Sequence, residues 1–166
     1  MIKAIVHADK EWGIGKGNGM MFSLPKDMKF FRETTMNHVV VMGGNTLRSF
    51  PNAKPLKNRV NIVLSRGQVR DDCVIVRSYE ELFKAMKDHE DEEIYVIGGG
   101  EVYRELLPYC EEVLVTKVDA VGGAEVFFPN LDENPDFQCV DEGEPVDDNG
   151  STIRFTRYKN LKTRKL

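Results

Sequence analysis

Short β-branched runs alternate along this chain with stretches whose apolar positions recur every three or four residues. The runs are Ile2 to Ala8, Val39 to Met42, Val60 to Leu64, Val74 to Val76, Ile94 to Ile97 and Val113 to Val118. The periodic stretches are Pro25 to Thr35, Tyr79 to Asp88 and Glu101 to Leu107. Runs of that kind predict buried strands, and a period near 3.6 predicts amphipathic helices between them. Their alternation predicts an α/β fold with a mostly parallel sheet and flanking helices. Ser78-Tyr79-Glu80-Glu81 is a capping-box pattern ahead of Leu82, Phe83 and Met86, and sets the start of one helix. After Phe127-Phe128-Pro129 the helical period stops. Phe137 to Val140 and Thr152 to Tyr158 then predict an antiparallel C-terminal hairpin at the sheet edge, with Asp147-Asp148-Asn149-Gly150 as its turn. Residues 159–166 read as a basic, solvated tail.

Within this pattern, Trp12 to Asp27 is a glycine-rich loop that runs straight into a helix start at Pro25. Leu24, Asp27, Met28, Phe31 and Thr35 fall on one helical face, which puts a carboxylate into an apolar stripe. Such a group is costly to desolvate unless protein donors or a ligand meet it. An acid near a helix N-terminus also complements the helix dipole, and spacing alone leaves both readings open. A second pattern is an internal echo. Val39-Val40-Val41-Met42-Gly43-Gly44-Asn45-Thr46 and Ile94-Tyr95-Val96-Ile97-Gly98-Gly99-Gly100-Glu101 both run from strand through glycines into a helix. Each offers free backbone N–H groups at the carboxyl end of a strand, where ligands of open α/β sheets usually sit, and two of them suit a ligand with two phosphates. Neither G-x-G-x-x-G nor a P-loop is present, so an ordinary Rossmann site and a P-loop kinase or GTPase are disfavoured.

Composition narrows the classes further. At 166 residues and 41% hydrophobic, the chain has enough for one core, and a single domain over residues 1–166 is expected. A net charge of -4 argues against a nucleic-acid or anionic-membrane surface. Cys73, Cys110 and Cys139 show neither a disulfide framework nor a zinc pattern and read as thiols of a reducing compartment. Without a signal pattern or a membrane-length apolar run, a soluble cytoplasmic protein is expected. His7, His38 and His89 share no metal-ligand spacing; the last two read as surface residues, and His7 near the end of the first strand is placed to line the site.

Taken in order, the W-G-I-G loop, L-P-x-D helix start, V-M-G-x-x-T, the basic loop ending in Arg59, N-I-V-L-S, V-I-G-G-G-x-V-Y, T-x-V-D-A and F-F-P resemble the dihydrofolate reductase family over essentially the whole chain. The resemblance implies a central eight-stranded sheet and NADPH-dependent reduction of 7,8-dihydrofolate to tetrahydrofolate, with antifolates as further ligands, and nothing in the sequence demands more than a monomer. It implies that Asp27 anchors the pterin and favours N5 protonation, that Thr116 hydrogen-bonds this carboxylate, and that Phe22 stands beside the water next to it. Ile5, Val6, Met28, Phe31, Phe50, Leu56 and Ile97 would wall the pterin and benzoyl groups, with Tyr103 nearby. Arg59 would grip the glutamate α-carboxylate, and Lys54 would add a weaker charge. For the cofactor, Gly43, Gly44, Asn45 and Thr46, together with Ile97, Gly98, Gly99, Gly100, Glu101, Val102 and Tyr103, would hold the pyrophosphate and nicotinamide halves. Leu64, Ser65, Arg66 and Arg77 would surround the adenosine 2′-phosphate. The Gly98-Gly99 bond stands where the family has a cis peptide. The loop, through Gly13, Ile14, Gly15, Asn18, Gly19 and Met20, would close over the nicotinamide beside His7.

Three positions depart from the family pattern. His7 stands for a usual alanine, Met21-Phe22 for a usual Pro-Trp pair, and Gly44 for a frequent arginine. Phe22 cannot donate the hydrogen bond that an indole would give. Arg66 and Arg77 therefore carry more of the expected phosphate recognition. The competing readings are a related pyrimidine reductase of riboflavin synthesis and a non-catalytic folate- or nucleotide-binding protein.

Overall fold

The computed structural model describes residues 1–17 and 19–166, so the cofactor contact expected at Asn18 lies outside the described residues. The first half of the chain forms β1 (Ile2–Ala8), β2 (Gly13–Gly15), α1 (Pro25–Thr35), β3 (Val39–Gly43), α2 (Gly44–Ser49), β4 (Val60–Leu64) and β5 (Val74–Val76). Next come α3 (Tyr79–Lys87), β6 (Ile94–Gly98), α4 (Gly100–Leu106), β7 (Glu112–Val118) and β8 (Val126–Phe127). The chain ends in β9 (Phe137–Glu142), β10 (Val146–Asp148) and β11 (Ser151–Asn160). Among the described residues no helix is long and apolar enough to cross a membrane.

The main sheet runs β10-β11-β7-β1-β6-β3-β4-β5, with β9 also paired to β11. β1, β3, β4, β5, β6 and β7 are mutually parallel, so their carboxyl ends lie along one edge. The two C-terminal runs near 137 and 152 do pair antiparallel at the sheet edge, with one further short strand, β10, between them in sequence. The Asn149-Gly150 turn, with φ of 54° and 88°, joins β10 to β11, whereas β9 pairs with the later half of β11. β9 and β10 thus share one edge position, which keeps the sheet eight positions wide. β11 extends through Asn160, whose side chain donates to the Cys110 carbonyl at 2.9 Å, and the residues after it are not a free, solvated tail: the Arg164 N–H donates to the Pro108 carbonyl at 2.9 Å and Leu166 packs against a hydrophobic core.

The unbroken Val39-Val40-Val41-Met42 run exists because β3 is covered on both faces. Val39 and Val41 join one core with Leu82, Met86 and Leu106; Val40 and Met42 join another with Ile5, Tyr95 and Ile97. The same alternation splits β1, since Ala4, Val6 and Ala8 belong to the first core and Ile5 to the second. For α3, Ser78 Oγ accepts the Glu81 N–H at 3.2 Å as the capping box requires. The return arm is different: the Glu81 carboxylate takes the Arg77 N–H at 2.6 Å.

Candidate functional site

α1 delivers Asp27 to the face of the sheet occupied by Ile5, and the residue ends only 8% exposed. Thr116 Oγ1 donates to Asp27 Oδ1 at 2.7 Å. His7 Nδ1 lies 3.4 Å from Asp27 Oδ2. Asp27 is therefore a buried, hydrogen-bonded carboxylate and not simply a solvated partner of the helix dipole. The helix start itself is held from far away. Leu24 at the N-cap offers no capping side chain, and Asp148 on β10 accepts the N–H groups of Lys26 and Asp27, both at 3.0 Å.

Around this acid, Ile5, Ile97, Phe31, Phe50 and Leu56 pack in one apolar cluster. Met28, on the helix beside Asp27, is 43% exposed. Val6 does not join this wall: strand alternation turns its side chain to the opposite face of the sheet, against the other core. Tyr103 is buried, stands edge-on to Phe128 and donates its hydroxyl to the Ile5 carbonyl at 2.7 Å. Burial raises its pKa, so the phenol keeps its proton for that bond. Phe22 packs beside Leu24, Val118 and Ile153. At the far end, Arg59 donates through Nε to Thr35 Oγ1 at 2.9 Å, and through Nη1 and Nη2 to the carbonyls of Lys57 and Arg32. Burial, and then the charge of Arg32, hold its pKa below the ordinary guanidinium value. Three of the five N–H groups of a guanidinium are engaged there, which leaves one on each terminal nitrogen. Lys54 is exposed nearby in sequence, after the short turn at Pro51–Ala53.

A cleft of about 710 Å3 opens along the carboxyl ends of the parallel strands. Gly43, Gly44 and Asn45 line it from the start of α2; Gly99, Gly100, Glu101 and Val102 line it from the start of α4. Leu64, Ser65, Arg66 and Arg77 form a further side. Both helices begin at glycine N-caps without side-chain capping bonds, so their first N–H groups stay available. The Gly98-Gly99 peptide is cis, and Gly98 has φ +130°. A Cβ on Gly98 would lie 3.3 Å from Thr46 Oγ1, so the two glycine turns meet closely there.

The cleft also contains residues that the sequence reading missed. Arg48 lies across Gly44: a Cβ there would meet Arg48 Nη1 at 3.3 Å and Ser65 Oγ at 3.1 Å. Arg48 is tethered through Nη2 to Asn45 Oδ1. The helix start at Gly44 was the available signal, because residue 48 follows one turn later on the same face. Arg77 is partly committed to structure, since Nη1 donates to the carbonyls of Ser65 and Arg66, both at 3.0 Å. Tyr79 donates to Glu101 Oε1 at 3.3 Å, and burial followed by the Glu101 charge pushes its phenol up to about 12.

Several expected cofactor residues lie elsewhere. The His7 side chain faces Asp27 rather than the cleft. Gly13 and Gly15 pair with Phe127 and Val126, and Ile14 packs against the core. A Cβ on Gly13 would meet Ala124 at 2.4 Å and the Asp9 carboxylate at 2.9 Å, so this glycine answers to packing within the loop. Asp9, also missed, accepts the N–H groups of Glu11, Gly13 and Gly122 and pins that loop to its neighbour. Gly19 and Met20 are exposed. The loop still reaches the cleft through β8, because a Cβ on Gly100 would meet Val126 Cγ1 at 2.6 Å. Among the described residues no group of three or more His, Cys, Asp or Glu is placed to hold a metal ion.

Comparison with known proteins agrees with this geometry. The chain is 32% identical over 165 residues to a dihydrofolate reductase of Staphylococcus haemolyticus, covering 97% of this chain and 96% of that protein. It is 30% identical over 168 residues to a dihydrofolate reductase of Bacillus subtilis, covering 99% and 98%. It is 33% identical over 180 residues to bifunctional dihydrofolate reductase-thymidylate synthase 2 of Arabidopsis thaliana, covering 97% of this chain and 32% of that protein. The chain thus spans about a third of the length of that plant relative. The family profile described as dihydrofolate reductase matches residues 1–161, and the chain belongs to the dihydrofolate reductase family.

Proposed function

We propose that this chain reduces 7,8-dihydrofolate to 5,6,7,8-tetrahydrofolate with NADPH. The observation that carries the reading is the buried Asp27 carboxylate, hydrogen-bonded by Thr116 and set beside an apolar wall. A pterin presents an N–H and an amino group side by side, a match for two carboxylate oxygens. Asp27 binds and orients that edge, and its negative charge favours a proton on N5 through a bound water. Ile5, Met28, Phe31, Phe50, Leu56 and Ile97 enclose the flat rings and exclude water. The free N–H groups of Arg59 take the glutamate α-carboxylate as a fork.

The residues of the cleft fit a dinucleotide phosphate. Two uncapped helix starts meet across it, and Arg48, Arg66 and Arg77 gather on one side with Ser65. When bound, NADPH supplies a hydride to pterin C6. The loop from Gly13 to Phe22 then shields the reacting atoms from water. Three free cysteines support a reducing, cytoplasmic setting, and a monomer holding the whole site is the accompanying reading.

A spectrophotometric assay of NADPH consumption tests this. Dihydrofolate-dependent oxidation with a tetrahydrofolate product is expected. Binding of either ligand without turnover would replace the enzyme by a carrier, and turnover of a pyrimidine substrate alone would replace the substrate class.

A further inference from the structure

The two oxygens of Asp27 are met from different strands. Thr116 on β7 donates to Oδ1 at 2.7 Å, and His7 on β1 sets Nδ1 3.4 Å from Oδ2. The β1·β7 register pairs His7 directly with Thr116, so the two side chains leave the sheet side by side under α1. We infer that His7 is a positioning residue: with its proton on Nδ1 it steers the second oxygen of Asp27 and fixes the plane that the carboxylate presents to the pterin. This rests on the dihydrofolate reading above.

The place of the proton follows from the surroundings of the ring. His7 Nε2 is buried and has no hydrogen-bond partner among the described residues. A proton on Nε2 alone would leave a buried donor unpaired and turn the Nδ1 lone pair toward a carboxylate. An imidazolium would keep the contact with Asp27, yet it would add the same orphan donor and offset the charge that the chemistry uses. The neutral Nδ1–H tautomer leaves one bare acceptor and no electrostatic conflict. The other ionisable groups packed here have their bonds elsewhere: Asp148 accepts the Lys26 and Asp27 N–H groups, and Tyr103 donates to Ile5. At 3.4 Å the contact is longer than an ordinary N–H···O bond, so its effect is smaller than that of Thr116.

Two measurements test the inference. The first is the 15N spectrum of the imidazoles in the unliganded protein, with the His7 signals identified by their loss in His7→Asn among the three histidines. A protonated Nδ1 and a bare Nε2 are expected, and a proton on Nε2 alone overturns the proposal. The second compares two variants in steady-state turnover of dihydrofolate. His7→Leu keeps the bulk and loses the donor, and its kcat should fall about fivefold to tenfold. His7→Asn puts an amide N–H near the place of Nδ1, and should stay within about twofold of the parent. Equal loss in both variants, or none in either, assigns His7 to packing and overturns the proposal. A parent protein inactive on dihydrofolate overturns the functional reading and the turnover consequence with it. The 15N arm decides the His7–Asp27 contact independently of that result.

Discussion

Asp148 accepts the backbone N–H of Asp27 at 3.0 Å across 121 positions of sequence. Its other oxygen takes the N–H of Lys26, also at 3.0 Å, so one side chain at the tip of a hairpin caps the helix that carries the acid. Asp148 is 1% exposed, and its charge lies at the positive end of the α1 dipole. The hairpin and the site are therefore mechanically one unit.

From this cap, Asp148→Ala should cost about 1–2 kcal/mol of stability, the range for losing a helix N-cap. kcat should fall with it, because the first turn that positions Asp27 loosens. Thermal unfolding and steady-state kinetics check both. An unchanged Tm would show that α1 finds its cap elsewhere.

Asp27→Asn should fold, since the amide keeps the shape, and should lose most turnover of dihydrofolate at neutral pH. Activity should recover partly as pH falls and more substrate arrives already protonated. A kcat/KM equal to the parent at neutral pH would remove Asp27 from the mechanism.

Arg59 holds its guanidinium on Thr35 and two carbonyls with N–H groups to spare. Arg59→Ala should weaken dihydrofolate and methotrexate, which carry a glutamate, by about 2 kcal/mol or more, the range for losing one side of a desolvated charge pair. Trimethoprim, which has no glutamate, should bind nearly as before. Equal losses for all three would mean that Arg59 serves the fold.

The three cleft arginines should separate by cofactor titration. Arg48→Ala and Arg66→Ala should each weaken NADPH about tenfold while leaving NADH nearly unchanged, as expected for one lost bond to a charged group. Arg77→Ala should weaken both cofactors alike, because Arg77 Nη1 also holds the carbonyls of Ser65 and Arg66. Fluorescence quenching on binding measures each case without turnover. An Arg48→Ala protein that keeps its preference for NADPH would leave Arg48 as a tether for Asn45 alone.

The strands and helices of this protein follow from short-range pattern. Apolar runs such as Val39 to Met42, the Pro25 helix start and the Ser78 cap are all decided within a few residues, and each forms where the pattern puts it. Spacing also places Asp27 on an apolar helical face and marks both glycine turns, yet only the contacts with Thr116 and His7 decide that the acid is buried rather than a solvated partner of the helix dipole. Tertiary structure decided what local pattern cannot carry. Strand alternation sent Val6 to one core and Ile5 to the other, and the β1·β7 register set His7 beside Thr116 over Asp27. The turn at Asn149-Gly150 was readable, but nothing local in Asp148 reveals that it caps a helix near the other end of the chain. Arg48 over Gly44, by contrast, is a one-turn relationship within α2 that spacing carries, and only Ser65 on the other side of Gly44 is brought there by the tertiary structure. Propensity and periodicity act over one or two turns of chain, whereas a partner for a buried polar group is chosen by whichever distant segment the closed sheet brings within hydrogen-bonding reach.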